Sequence, residues 1–148
     1  MAWIVVRVRG GIHSRQDIRA TLAGLHLTRA NHATVLPEEP AFRGMLMAAQ
    51  GYLTWGEAEA ETVASLLTAR GETRTGARLS SPASGIADVT ELAASVLGKG
   101  LARVTTLKPL LRLAPPKGGW SSTKKPYSLG GALGYRGRAI NELVQRMI

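Results

Sequence analysis

Ala2-Trp3-Ile4-Val5-Val6-Arg7-Val8-Arg9 begins as an unbroken apolar run and ends in alternation. A stretch of that kind suits a β-strand buried on one face and partly on the other, and Gly10-Gly11 stops it. A helix comes next. Ser14 stands where it can cap that helix with Asp17 at the third position, a variant of the capping box. Ile18, Leu22 and Leu25 then fall at helical spacing, Arg15 and Arg19 face away, and the helix is expected to close near Gly24. His32 to Leu36 reads as a second strand, ended by Pro37. Glu38, Glu39 and Pro40 are the acids and proline that a helix start favours, and Phe42, Met45, Leu46 and Ala49 make its apolar stripe. Tyr52 to Trp55 is a third, short strand. The β-α-β-α-β order predicts an α+β fold, an open sheet with both helices on one face.

The rest of the chain is read outward from that unit. Ala58 to Ala69 is a helix with acids in its first turn (Glu59, Glu61), an apolar set of Val63, Leu66 and Leu67, and Gly71 as a stop. Glu72 to Ser84 has no apolar periodicity and reads as a connector. Asp88 with Glu91 forms a capping box that opens a helix through Leu92, Val96 and Leu97, with Gly98 expected to end it. Leu101 to Leu113 is β-like, but Pro109 confines it to an edge or breaks it. Gly137 to Met147 is a last helix with Ile140, Leu143, Val144 and Met147 on one face, and Glu142 and Arg146 at i,i+4 on the other. The expected division is a core over 1–57, a helical insertion over 58–100, and a basic segment over 101–148 whose final helix packs on the core.

Charge is distributed unevenly. Up to Glu91 nine arginines face nine acids, whereas from Leu92 onward ten bases face Glu142 alone, so the second part supplies the whole net charge of +9. A basic tail could serve solubility only, but confinement to one end marks a face for a polyanion. Within it, Arg112 to Arg138 holds Arg112, Lys117, Lys124, Lys125, Arg136 and Arg138 and no acid, interleaved with Trp120, Tyr127 and Tyr135. Bases neutralise phosphates, aromatic faces stack on bases or sugars, and glycines such as Gly118, Gly119, Gly130 and Gly131 let backbone N–H groups approach a polyanion. The stretch is expected to be an RNA-binding surface. Trp120 would stack on RNA or, on the alternative, fill the core.

Gly130 to Gly137 runs toward the last helix, and a glycine-rich turn at a helix N-terminus is a ready anion site. A soluble nucleotide or tight packing against the sheet would each account for it, but an RNA phosphate docking there fits the surrounding charge best. No GK[ST] follows and no β-α-β fingerprint surrounds it, which weakens the nucleotide reading.

Chemistry of other kinds finds little support. The absence of cysteine excludes disulfides, thiolate metal sites and cysteine nucleophiles. His13, His26 and His32 show no metal spacing, and Ser14, Ser80, Ser81 and Ser84 have no local triad partner. Glu38-Glu39 and Glu57, Glu59 and Glu61 are better explained as helix starts than as acid–base pairs. No enzyme, cofactor or metal is expected. The apolar run Ala2 to Val6 is far too short for a signal segment or a membrane span, so a cytoplasmic protein with no membrane partner and no homo-oligomer is expected.

These residues resemble a family of large-subunit ribosomal proteins, called L-thirty in bacteria and archaea and L-seven in eukaryotes. The resemblance rests on the first strand with Ile18-Arg19-Ala20-Thr21-Leu22, on Leu25-His26-Leu27-Thr28-Arg29 and on Pro40-Ala41-Phe42-Arg43-Gly44-Met45-Leu46. Tyr52-Leu53-Thr54-Trp55-Gly56-Glu57 is similar to the strand of its long form. Arg112-Leu113, Pro115-Pro116, Gly118-Gly119-Trp120 and Lys125 to Gly137 are similar to that form's carboxy-terminal signature. What the resemblance implies is a ferredoxin-like domain with an added helical subdomain, bound to large-subunit rRNA beside neighbouring large-subunit proteins, and archaeal in architecture. It also adds Arg43 as a candidate RNA contact. One departure is that the chain has no lysine before Lys99, where the family's extensions are lysine-rich. A ribosome-maturation factor would share the same charge pattern.

Overall fold

A computed structural model of the chain describes residues 2–10, 15–74, 76–77, 89–104, 107–120 and 122–148. Strand β1 (Ala2–Arg7) lies inside a sheet, flanked by antiparallel β2 (His32–Pro37) and β3 (Leu53–Glu57), in registers that set Val6 opposite Ala33 and Ile4 opposite Gly56. Helices α1 (Gln16–Gly24) and α2 (Pro40–Ala48) make the connections. The β-α-β-α-β unit is therefore as the periodicities require, because each element carries its own local signal.

Ser14 lies outside the described residues; α1 starts at Gln16, with Arg15 at the cap position and no side-chain cap bond. In α2 the proline occupies the first turn, where its missing N–H has no intrahelical partner to lose.

The chain then covers the other face of the same sheet. Helices α3 (Ala60–Arg70) and α4 (Val89–Lys99) are followed by a two-residue strand β4 (Leu111–Arg112), which pairs antiparallel with β2. Strand β5 (Ser122–Pro126) and strand β6 (Gly131–Tyr135) lie at the opposite side, and helix α5 (Ala139–Met147) closes the chain. The sheet order is β4-β2-β1-β3-β6-β5, with β6 parallel to β3. Strand β4 lies on the edge beside β2; of the run read as β-like from the sequence, Leu101–Arg103 is instead a short 3-10 helix and Pro109 falls outside the strand.

Two cores result, one on each face. Val5, Leu36 and Trp55 pack against Leu22, Leu25 and Leu46 beneath α1 and α2. Ile4, Val6 and Val35 pack against Val63, Leu66, Val96, Leu143 and Val144 beneath α3, α4 and α5. This explains the unbroken apolar start of β1, since a strand covered on both sides has no solvent face to mark with polar residues. Each fully buried aliphatic side chain contributes about 1.5–3 kcal/mol, and Ile140, Leu143, Val144 and Met147 of α5 are all within 1% of complete burial.

Several boundaries differ from expectation: β3 runs Leu53–Glu57 rather than Tyr52 to Trp55, α3 begins at Ala60 rather than Ala58, and two helix ends set by glycine differ as well. Helix α4 continues through Gly98 to Lys99, and Gly100 ends it at φ +86°. A Cβ at Gly100 would run into the ring of Pro37, so glycine is required there twice over. Asp88 lies outside the described residues. Helix α5 begins at Ala139, because Gly137 and Arg138 form the turn that enters it.

Candidate nucleic-acid interface

The bases of the Arg112–Arg138 stretch do not form one surface. Arg112 is exposed on β4, directly opposite His32 of β2. Lys124 and Lys125 are exposed on β5, at the other edge of the sheet. With five inter-strand steps between β4 and β5, the two groups stand on the order of 24 Å apart. Lys117 occupies a third place, in a turn pinned to the end of α5: its N–H donates to the Arg146 carbonyl at 3.0 Å, and Arg146 Nη1 donates back to the Lys117 carbonyl at 3.3 Å. That contact, rather than Glu142, occupies the Arg146 guanidinium. Arg138 is exposed at the start of α5, and Arg43 is exposed on α2. Arg43 lines a groove of about 390 Å³ with Trp3, Glu38, Met47, Glu57 and Tyr135.

Arg136 is used inside the protein. Its Nε donates to Thr54 Oγ1 and its Nη2 to the Ala132 carbonyl, both at 2.7 Å, and its guanidinium lies 4.9 Å from the centre of the Tyr127 ring. Burial lowers its pKa from the ordinary arginine value, the nearby Tyr127 opposing the shift. Arg136 thus ties β6 to β3, and one face of Tyr127 is taken by a cation. Tyr127 keeps 43% of its surface exposed, so its other face is open. Trp120 is half-buried and packs against Val8, Ala132 and Leu133 as well as the α3–α5 core, so packing already claims much of the ring.

The glycine-rich stretch is reassigned. Residues 131–135 are strand β6, with Ala132 and Leu133 buried, so Gly130 and Gly131 stand at the end of that strand remote from α5. A Cβ at Gly131 would strike the Lys125 carbonyl, which is a packing requirement of the β5–β6 pair. The turn that does enter α5 is closed in turn: a Cβ at Gly56 would strike the Gly137 carbonyl, and Asn141 Nδ2 donates to the carbonyls of Glu57 and Arg138. A nucleotide cradle at a helix N-terminus is therefore not what this segment builds. Close packing accounts for Gly131, while Gly130, Gly134 and Gly137 are held at positive φ.

Three cationic or ionisable groups near Arg112 come from the amino-terminal part. Arg7 is 5% exposed and donates to the Leu27 carbonyl at 2.7 Å and the Arg9 carbonyl at 2.9 Å. Arg29 is exposed in the loop before β2. His32 has its pKa lowered, first by burial and then by Arg112, Arg29 and Arg7. Arg29 falls in the Leu25–Arg29 motif, but no composition or motif signal singles out Arg7 and His32, which strand register brings to Arg112.

A helix-covered α+β sheet with exposed cations on both edges is the class of protein that the geometry defines. Residues 3–53 match the ribosomal protein L30p/L7e family. The chain is 42% identical to the large ribosomal subunit protein uL30 of Methanopyrus kandleri, over 95% of this chain and 100% of that one. It is 40% identical to the protein of the same name from Methanocorpusculum labreanum, over 98% and 99%. The protein so named in Korarchaeum cryptofilum is also 40% identical, over 97% and 93%. The chain belongs to the L30p/L7e family, in its long, archaeal form.

Proposed function

We propose that the protein is a structural constituent of the large ribosomal subunit that binds and stabilises large-subunit rRNA, with no catalytic role. The observation that carries this reading is the match over 95% of the chain to an archaeal uL30, since it takes in the basic stretch as well as the sheet. Arg112, Lys117, Lys124, Lys125 and Arg138 would neutralise phosphates, Arg43 would add a contact from α2, and the open face of Tyr127 would stack. Trp120, Arg136, Gly130 and Gly131 act mainly by holding that surface in shape. Gly118 and Gly119, both at positive φ, form the exposed turn after Lys117. Neighbouring large-subunit proteins would pack alongside, in the cytoplasm where subunits work.

Sedimentation of native lysate tests this. The protein should travel with large subunits through a high-salt wash. A maturation factor would leave mature subunits under the same wash, and recovery of the protein in the soluble fraction at low salt would overturn the proposal.

A further inference from the structure

We propose that Arg7, His32 and Arg112, joined by Arg29, form a second phosphate-binding site for RNA on the sheet edge opposite Lys124 and Lys125, so that the protein bridges two separate backbone segments. The inference rests on the rRNA-binding reading and extends it to the amino-terminal part of the chain, whose charges sum to zero.

The geometry begins with the register. Val6 stands opposite Ala33, so the next position sets Arg7 of β1 beside His32 of β2, and His32 itself stands opposite Arg112 of β4. Val6, Ala33 and Leu111 all point into the α3–α5 core. Side chains alternate along a strand, so Arg7, His32 and Arg112 share the other face. Three adjacent strands therefore carry a cross-strand row of arginine, histidine and arginine. His32, whose pKa is lowered by burial and by these arginines, separates Arg7 from Arg112, and no acid stands in the row.

The partners of these groups complete the case. Arg7 is buried, and buried charges are ordinarily paired; its guanidinium donates to the carbonyl oxygens of Arg9 and Leu27. Arg29 and Arg112 hold no side-chain partner among the described residues. A carboxylate does lie nearby, since Glu72 lines a cleft with Arg70 and Arg112, but Lys108 Nζ occupies it at 2.9 Å. A shallow cleft of about 250 Å³ between Arg7, Arg19, Leu27 and Thr28 opens beside the row. Thr28 Oγ1 of that cleft lies 3.4 Å from His32 Nδ1, and a phosphate at Arg29 and Arg112 would meet guanidinium groups from two elements. A phosphate at Lys124 and Lys125 is on the order of 24 Å away across the sheet, so one phosphate group cannot serve both places.

The chain has no cysteine, which allows a direct test. Ala30→Cys and Ser122→Cys, each at an exposed position, are tethered to an iron chelate and bound to transcribed large-subunit rRNA. Two separate sets of backbone cuts are expected, one from each edge. In parallel, Arg29→Gln with Arg112→Gln should reduce the slope of log affinity against log salt by roughly 1.5, with circular dichroism and melting temperature unchanged; Arg7 is left intact because it is part of the fold. No cutting from position 30, together with an unchanged salt slope in the double variant, would overturn the second site while cuts from position 122 left the RNA reading standing. Failure of the wild-type protein to bind the RNA at all would overturn both.

Discussion

His32 is the side chain whose behaviour should report on its neighbours. In an unfolded chain its ring titrates near the ordinary value of about 6.5; in the fold, burial and the arginines at 112, 29 and 7 hold it lower. Between those two values the unfolded chain binds the extra proton. The contribution of His32 to stability is therefore full above about pH 6.5 and is lost as pH falls through the window beneath it, levelling off once the folded ring also protonates. His32→Gln should remove that fall. Melting curves from pH 7.5 to 5 should show the wild type losing ground to the variant as pH drops, and parallel curves would mean that neither burial nor the arginines shift the ring. Trp120 makes a second case. Complete burial would put the cost of Trp120→Ala at roughly 3–5 kcal/mol, and its half-buried place between two clusters brings this to about 2 kcal/mol. A thermal or urea melt measures it. No loss of stability would make Trp120 a free stacking platform rather than a packing residue.

At the scale of elements, one side chain reinforces the backbone pairing that attaches β6 to β3. Arg136 reaches from the end of β6 to Thr54 of β3, to the Ala132 carbonyl and over Tyr127. Hydrogen bonds to a charged donor contribute about 1.5–3 kcal/mol each and leave costly orphans when removed. Arg136→Ala should thus destabilise the protein by about 2–4 kcal/mol, while the salt dependence of RNA binding by the folded fraction stays as it was. A smaller salt slope with unchanged stability would return Arg136 to the phosphate-binding set. This residue also shows where sequence reading ends. Its charge is plain, but whether its donors are spent internally depends on a strand that the sequence does not announce. Gly131-Ala132-Leu133-Gly134 has no β-branched residue, and its strand character comes from pairing with β3 rather than from propensity. By contrast, β1, β2, α1, α2 and α5 were legible because their periodicities are local. The row at Arg7, His32 and Arg112 lay out of reach for the opposite reason: it exists only once two registers between distant segments are known.

For the molecule as a whole, the carboxy-terminal third cannot be separated from the fold. A chain ending at Leu111 would lose Ile140, Leu143, Val144 and Met147 from one core and β6 from the side of β3, so it should show no cooperative melt by circular dichroism. Charge must instead be removed residue by residue. Each phosphate contact contributes a salt slope of about −0.7 to −0.9. With Arg136 spent internally, the five exposed bases Arg112, Lys117, Lys124, Lys125 and Arg138 would give a slope of roughly −3.5 to −4.5. Arg29 and Arg43 would each carry it about one contact further. Lys124→Ala with Lys125→Ala should reduce it by roughly 1.5 and do so on any RNA of suitable shape, since a lysine is a point charge without a planar fork for base edges. Combining that pair with Arg29→Gln and Arg112→Gln should lower the slope by about 3 in all. Sites that far apart share no partners, so their losses should add. A single shared phosphate path would instead let the second pair of changes cost less than the first. Equilibrium binding of the four variants to large-subunit rRNA across a salt series separates the two, and a slope in the quadruple variant no lower than in either pair would show that only one edge of the sheet faces the RNA.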